Sequence, residues 1–446
     1  MRELLTGWGR TAPTAATVHR VSSVADVVAD VRSPARAVLA RGLGRCYGDA
    51  AQSAGGRVMS TLRLSDVELD EQRGTAVVGA GCSVDDLLRH VVPRGWFVPV
   101  TPGTRFVTIG GAIAADVHGK NHHVDGTFGR HVRWLELVDG SGEVRRLSPT
   151  EDPQAFWATV GGLGLTGVVT RAEISLRRVG SSWMRVTTAR ADDLGALMTG
   201  LREHDRRFRY TVAWIDLMSR GAALGRGVLT SGDHAPGPDV LERGVRDPLA
   251  YAPTARAAMP ALPCSVVNRP GGRAFNALWF RRAPQLQEAA LQPLAAFFHP
   301  LDGVRSWNRA YGPRGFLQYQ FVVPDGREDV IEDTVGALQR AGTPAFLAVL
   351  KRFGPAGPAP LSFPRPGWTL AMDLPVGVAD TLARVLDTLD ARVAAAGGAV
   401  YLVKDARCRP DLLAAMYPRL DEWRAVRARL DPSGRFSSDL SRRLAL

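Results

Sequence analysis

Two hydrophobic rhythms divide the chain. Over roughly the first 180 residues, short apolar runs alternate with glycine-rich turns. Ala37–Ala40 reads as a strand leading into a glycine loop, and Thr75–Val78 reads as another strand. Ser83 then caps a helix over Val84–Val92, whose first turn carries Asp85 and Asp86. Carboxylates there oppose the positive end of the helix. Trp134–Val138 and Val144–Leu147 flank Asp139-Gly-Ser-Gly142, a hairpin signal. Asp152–Thr159 has a helical pattern, and Val168–Leu176 alternates as a strand.

From about Val186 the rhythm lengthens. Strand-like runs (Tyr210–Ile215, Phe316–Val323, Ala345–Leu350, Thr369–Leu374) alternate with helical stretches (Asp192–Glu203, Gln285–Phe298, Asp329–Arg340, Val378–Ala396). That predicts an antiparallel sheet with helices on one face, and an α+β class for the whole. Ser231–Arg273 is rich in Pro, Gly and Arg with weak periodicity, and reads as a lid or mobile segment. Pro410–Leu446 reads as an Arg-rich helical tail.

Length changes the picture little: 446 residues suffice for two or three domains. The four cysteines show no CxxC spacing, so reduced thiols are expected rather than a disulfide framework. The N-terminus lacks the apolar core of a signal peptide, and no window of about 18 apolar residues predicts a membrane span. The net charge of +12 suits a phosphate-bearing substrate, an anionic membrane surface or nucleic acid. Its arginines are scattered and no aromatic residues interleave with a basic stripe, which argues against nucleic acid. Among 56 basic residues only Lys120, Lys351 and Lys404 are lysines. An ammonium is compact and its pKa moves on burial, whereas a guanidinium stays charged. These three positions are therefore candidates for chemistry that arginine cannot perform.

Three glycine loops stand out in the first part: 41–49, 102–112 and 161–167. Glycine lets successive N–H groups close around an anion, and Thr108 can start a helix facing it. None is a Walker loop or a G-x-G-x-x-G unit in a βαβ setting. Singly each is an ordinary turn; together they suggest a dinucleotide cradle.

Several long strings carry a resemblance. They are Leu5–Pro13, Ala40–Asp49, Gly110–His123, Trp307–Pro313, Gly315–Phe321 and Tyr401–Asp405. On them the chain resembles flavoproteins of the vanillyl-alcohol-oxidase (PCMH) type. More closely it resembles the oxidase components of the decaprenylphosphoryl-β-D-ribose 2-epimerases of actinobacterial cell-wall synthesis. The resemblance implies an FAD domain split between residues 1–182 and 399–446, around a substrate domain at 183–398. It implies FAD contacts from Ala40, Arg41, Gly42, Leu43, Gly44, Arg45, Cys46, Tyr47, Gly48, Asp49 and Ala50 in the first loop. Gly103, Thr108, Ile109, Gly110 and Gly111 would contribute from the second, with Ala115, Asp116, Val117, His118, Val169 and Tyr401 nearer the ring. Some relatives bind FAD covalently through a His in the first loop; Arg45 stands there in this chain, so non-covalent FAD is expected.

The implied reaction oxidises the ribose 2′-hydroxyl of a polyprenyl-phosphate sugar to a ketone, a step toward arabinan synthesis. Lys404 is expected beside the flavin, either balancing charge or holding the hydroxyl as a base. Lys351, His118 and Tyr47 are further catalytic candidates. Gln318 and Gln320 alternate along one strand and so share a face suited to sugar hydroxyls, or merely solvated. Lys120 and Tyr311 complete the expected substrate contacts. His118, His122 and His123, with His131 nearby, invite a metal, but Lys120 among them disfavours a cation, so no metal is expected. Ala371 stands where many relatives carry the Cys that nitroaromatic inhibitors modify, so no adduct is expected. The resemblance also implies an NAD(P)H-dependent reductase partner, a quinone or dioxygen as electron acceptor, and a peripheral place on the plasma membrane, at its envelope face by analogy. A soluble alditol or aldonolactone oxidase of the same fold is the alternative.

Overall fold

The computed structural model describes residues 1–35, 37–343, 345, 347–377 and 381–446. The first part holds two sheets. The smaller runs Arg2–Leu5, Thr14–Arg20, Arg57–Ser60, Val38–Arg41, with parallel pairing at its last two junctions. The larger is antiparallel and runs Val67–Asp70, Thr75–Gly79, Val168–Ser175, Val132–Val138, Val144–Leu147. The Ser83 hydroxyl accepts from Asp86 N–H and starts the helix Val84–Val91. The hairpin at Asp139 is held by its own carboxylate, which accepts from the N–H groups of Ser141 and Glu143.

The second part is an eight-stranded antiparallel sheet. Its order is Leu286–Pro293, Trp183–Ala191, Gly227–His234, Tyr210–Ile215, Ala348–Phe353, Gly367–Pro375, Phe316–Val323, Ala399–Val400. Period-two alternation puts Leu350, Leu370, Met372, Leu374, Tyr319 and Phe321 on one face, all buried. Helices Leu194–Arg207, Asp329–Ala341 and Thr381–Ala395 share this core through Leu197, Leu201, Val335, Leu338 and Leu386. After the edge strand Ala399–Val400 the chain returns to the first part. There Tyr47 N–H donates to Val403 O, Val38 N–H to Arg435 O, and Trp423 Nε1 to Ala158 O. The tail forms helices Leu413–Met416, Leu420–Leu430 and Asp439–Leu444.

Three expectations change. Gln285–Phe298 is not one helix: Leu286–Pro293 is an edge strand and only Leu294–Phe298 is helical. Its Gln, Glu and Ala favour a helix, but pairing with Trp183–Ala191 overrides propensity and Pro293 separates the two elements. Within Ser231–Arg273 lie the end of the strand Gly227–His234, the helix Gly237–Glu242 and the start of the helix Arg269–Arg282, so it is not one loop. Lys351, just past the expected run Ala345–Leu350, sits inside the strand Ala348–Phe353. Phe346, in the expected strand, and 378–380, in the expected helix, lie outside the described residues. Among the described residues no helix is long and apolar enough to cross a membrane.

Candidate active site

The second face of the eight-stranded sheet is polar. The register pairs Gln318 with Asp373, Gln320 with Ala371, and Lys351 with Thr369. Side chains directly opposite in a ladder share a face, so these six form one wall. The wall is not a solvated surface: Gln318 is 9% and Gln320 1% exposed. Gln318 Nε2 donates to Asp373 Oδ1, and Gln320 Nε2 donates to Thr369 Oγ1 at 3.0 Å. Gln320 Nε2 also lies 3.1 Å from His118 Nε2. An amide N–H can only donate, so His118 Nε2 accepts and its proton rests on Nδ1. Burial, then Lys351 and Lys404, push the His118 pKa well down, which keeps the ring neutral. Its ring packs 4.8 Å from Phe353 and 5.1 Å from Tyr401. His118 Nδ1 and the carbonyl oxygens of Gln318 and Gln320 are buried without a partner. Such orphans are rare in a finished interior and mark a place that a ligand completes.

The first glycine loop faces this wall because the C-terminal segment clasps it. A Cβ at Gly48 would stand 1.8 Å from Asp405 O, so only glycine allows the approach. Arg443 ties the two segments, pairing with Asp49 and Asp405 at 2.9 Å each. The clasp sets Lys404 Nζ 5.5 Å from the Tyr47 ring, and Tyr47 meets Phe316 edge-on at 5.6 Å. Tyr311 is buried and stacks on Phe316 at 4.1 Å.

Lys351 and Lys404 face the wall, and Lys120 lies within charge reach of Lys351. Burial lowers Lys120 to about 7. Lys351 falls to about 7 through burial, then through the charges of Lys404 and Lys120. Burial lowers Lys404 to about 8 against the upward pull of Asp373. Asp373 in turn is pushed up to about 7 by burial, opposed by Gln318, Lys404 and Tyr311. Lys120 Nζ donates to Phe297 O and lies 4.3 Å from the Phe297 ring. Three amines poised near neutrality regain their protons cheaply beside an anion.

The first loop fits a dinucleotide. Among the described residues no hydrogen bond uses the N–H groups of Gly42, Leu43, Gly44, Arg45 or Cys46. Five successive free donors suit a pyrophosphate. A Cβ at Gly42 would meet Thr108 Oγ1 at 2.2 Å, so the first and second loops touch. Gly44 has φ +64°. The helix started by Thr108, Ile109–Ala114, differs from expectation. Its first N–H groups bond Cys82 O, Ala80 O and Thr108 Oγ1 and are not open to a ligand. Gly110 is spent on packing, its Cβ position lying 2.9 Å from Ala80 Cβ, while beside Gly103 a Cβ meets nothing. The third loop supports this helix rather than joining the cradle: Gly161 and Leu163 N–H donate to Ile113 O and Ala114 O. Ala115 O accepts from Tyr401 Oη at 2.8 Å. Asp116 Oδ2 accepts from Ser362 Oγ at 2.6 Å, Val117 and Val169 are 8% exposed, and Ala50 is buried. Arg41 braces the loop by donating to Thr6 O and Ala51 O, and Arg45 lies 3.8 Å over the Trp8 ring. Cys46 is raised to about 11 by burial and is a poor nucleophile.

The histidines separate. His122 Nδ1 accepts from Gly354 N–H, His123 Nε2 lies 3.0 Å from Phe208 O, and His131 Nε2 3.0 Å from Asp125 O. Among the described residues no three His, Cys, Asp or Glu gather as a metal site. A cleft bordered by Phe353 and His123 carries Arg202 and Arg352, already paired with Glu328 and Asp325. Sequence reasoning missed Asp373, Thr369, Phe353 and Phe363. A carboxylate inside the otherwise apolar Gly367–Pro375 was a usable signal for the first; the others depend on register and loop placement.

A glycine loop with free donors, set against a buried polar wall, defines a flavin-binding oxidoreductase site. Residues 13–148 match the FAD binding domain family. The chain is 42% identical to decaprenylphosphoryl-beta-D-ribose oxidase of Mycolicibacterium smegmatis, across 99% of this chain and 97% of that protein. It is 26% identical to alditol oxidase of a Streptomyces species, across 100% of this chain and 99% of that one. Cytokinin dehydrogenase 8 of Oryza sativa is 34% identical, over 32% of this chain and 30% of that protein. This chain belongs to the decaprenylphosphoryl-β-D-ribose oxidase family, and it is an FAD-dependent oxidoreductase.

Proposed function

We propose that the chain oxidises the 2′-hydroxyl of a polyprenylphosphoryl ribose to the ketone, the first half of an epimerisation to the arabinose donor. Lys351 and Lys404 on a buried amide-and-carboxylate wall, with Lys120 within charge reach of Lys351, carry this reading. FAD, when bound, supplies the two-electron acceptor for the carbinol C–H. Gly42–Cys46 hold its pyrophosphate through their free N–H groups, without a covalent link at Arg45. Gln318 and Gln320 use their unpaired carbonyl oxygens to orient sugar hydroxyls. Lys404 accepts the proton from the reacting oxygen, because an amine near 8 is partly neutral at working pH. Asp373 positions Lys404 by charge, and Tyr47 orders the same end of the cavity. Lys351 and Lys120 balance the phosphate, and neutral His118 completes the wall. Residues 1–182 with 399–446 form the flavin unit and 183–398 the substrate unit. A reductase returns the ketone to the epimeric alcohol, a quinone or dioxygen reoxidises the flavin, and the enzyme works peripherally at the plasma membrane. The test is steady-state turnover of polyprenylphosphoryl ribose against free alditols. A higher kcat/KM for the lipid-linked pentose is expected; preference for an alditol defeats the assignment.

A further inference from the structure

The helix Arg269–Arg282 turns its apolar side outward. One face is anchored: Gly272, Asn276 and Phe280 are buried, and Asn276 Nδ2 donates to the buried Asp216 Oδ1 at 2.7 Å. Phe280 lies under Arg226 and Arg190, at 4.6 and 5.3 Å. At 100° per residue, Phe275, Leu278 and Trp279 fall together on the neighbouring face. They are 47, 48 and 51% exposed, and the Phe275 and Trp279 rings stack at 6.2 Å. Apolar side chains scattered singly on a surface need no explanation; three large ones on one helix face do.

The surrounding charge says what covers them. Pro248–Gln287 contains Arg256, Arg269, Arg273, Arg281 and Arg282 and not one Asp or Glu. Arg281 and Arg282 are exposed at the end of the apolar stripe, where their stems can lie along it with heads outward. Aromatic side chains beside arginines, on a helix already fixed to its scaffold, match the boundary of an anionic bilayer. The helix also begins close to the cavity. Val266 N–H donates to Ala310 O, and a Cβ on Gly312 would stand 2.6 Å from Ser265 N, which brackets Tyr311 at the polar wall.

We propose that the Phe275–Leu278–Trp279 face docks the enzyme on anionic lipid, beside the cavity that takes the lipid-linked sugar. The inference rests on the substrate reading only for its purpose, and vesicle binding tests it separately. The flavin-loaded full chain is sedimented with phosphatidylcholine vesicles, with and without phosphatidylglycerol. Binding is expected only with phosphatidylglycerol and weakens with added salt. Phe275→Ser with Trp279→Ser lowers partitioning by about tenfold or more. Arg281→Gln with Arg282→Gln removes the preference for phosphatidylglycerol. Both variants keep flavin content and turnover of a short-chain soluble substrate analogue. Equal binding by wild type and the Phe275/Trp279 variant, or no binding by wild type, overturns the proposal. So does a wild-type dimer lost in that variant, which makes the face a self-interface, or a KM rise for long-chain substrate in detergent with vesicle binding intact. Vesicle binding as expected, with no turnover of the analogue by wild type, sinks the substrate reading and supports the docking face.

Discussion

The inner strands of the eight-stranded sheet are buried on both faces, but the two faces are built differently. Leu350, Leu370, Met372 and Phe321 close one face against helices, almost wholly with apolar side chains. One residue along the same strands, Gln318, Gln320, Asp373 and Lys351 make the other, and several of their polar atoms lack partners. Apolar burial stabilises wherever water is excluded. Polar burial costs free energy unless hydrogen bonds are made, so an incomplete polar face is retained where something else binds. One face therefore holds the fold and the other holds the chemistry.

Substitutions on each face should separate these roles. Lys404→Ala should lower kcat by roughly 10²–10⁴-fold, the usual worth of a proton acceptor, while flavin content and thermal melting stay near wild type. Loss of fold in place of loss of rate would erase the distinction. Leu370→Ala, on the apolar face, should cost roughly 2–5 kcal/mol in denaturant unfolding, with kcat per folded molecule little changed. The pH profile is a finer probe. Burial lowers Lys404 to about 8, and it accepts a proton only when neutral. The rate should therefore climb with pH and level off above about 8, and a profile that instead falls over this range assigns the base elsewhere. Gln320→Leu removes the amide between Thr369 and His118 and should raise KM by roughly tenfold, with a stability cost of about 1–3 kcal/mol because His118 Nε2 loses its donor. The smallest effect is Ala371→Cys. Ala371 is half-buried on the polar wall beside Gln320, so a thiol fits with turnover unchanged. Intact mass after turnover with a nitroaromatic inhibitor should then show an adduct on the variant and none on the native chain.

Much of the polar face was legible in the sequence. The lysines showed by scarcity among arginines, and the two glutamines by their period of two. The glycine loops showed by composition, although only the first keeps its donors open; the second and third spend theirs on packing around Ile109–Ala114. Asp373 was not found, because its role depends on register with Gln318, some 55 residues earlier, which no local pattern encodes. Leu286–Pro293 misled for the opposite reason: its residues favour a helix, and only the neighbouring strand makes it extended. The position of Lys404 depends on a clasp between the first loop and the tail, joined through Arg443.

The most direct test is anaerobic mixing of the flavin-loaded enzyme with polyprenylphosphoryl ribose bearing hydrogen or deuterium at ribose C2. The visible flavin band should bleach, and more slowly with deuterium, because that C–H bond breaks. A band left intact by this sugar, or bleaching indifferent to the label, would contradict oxidation at that carbon by this site.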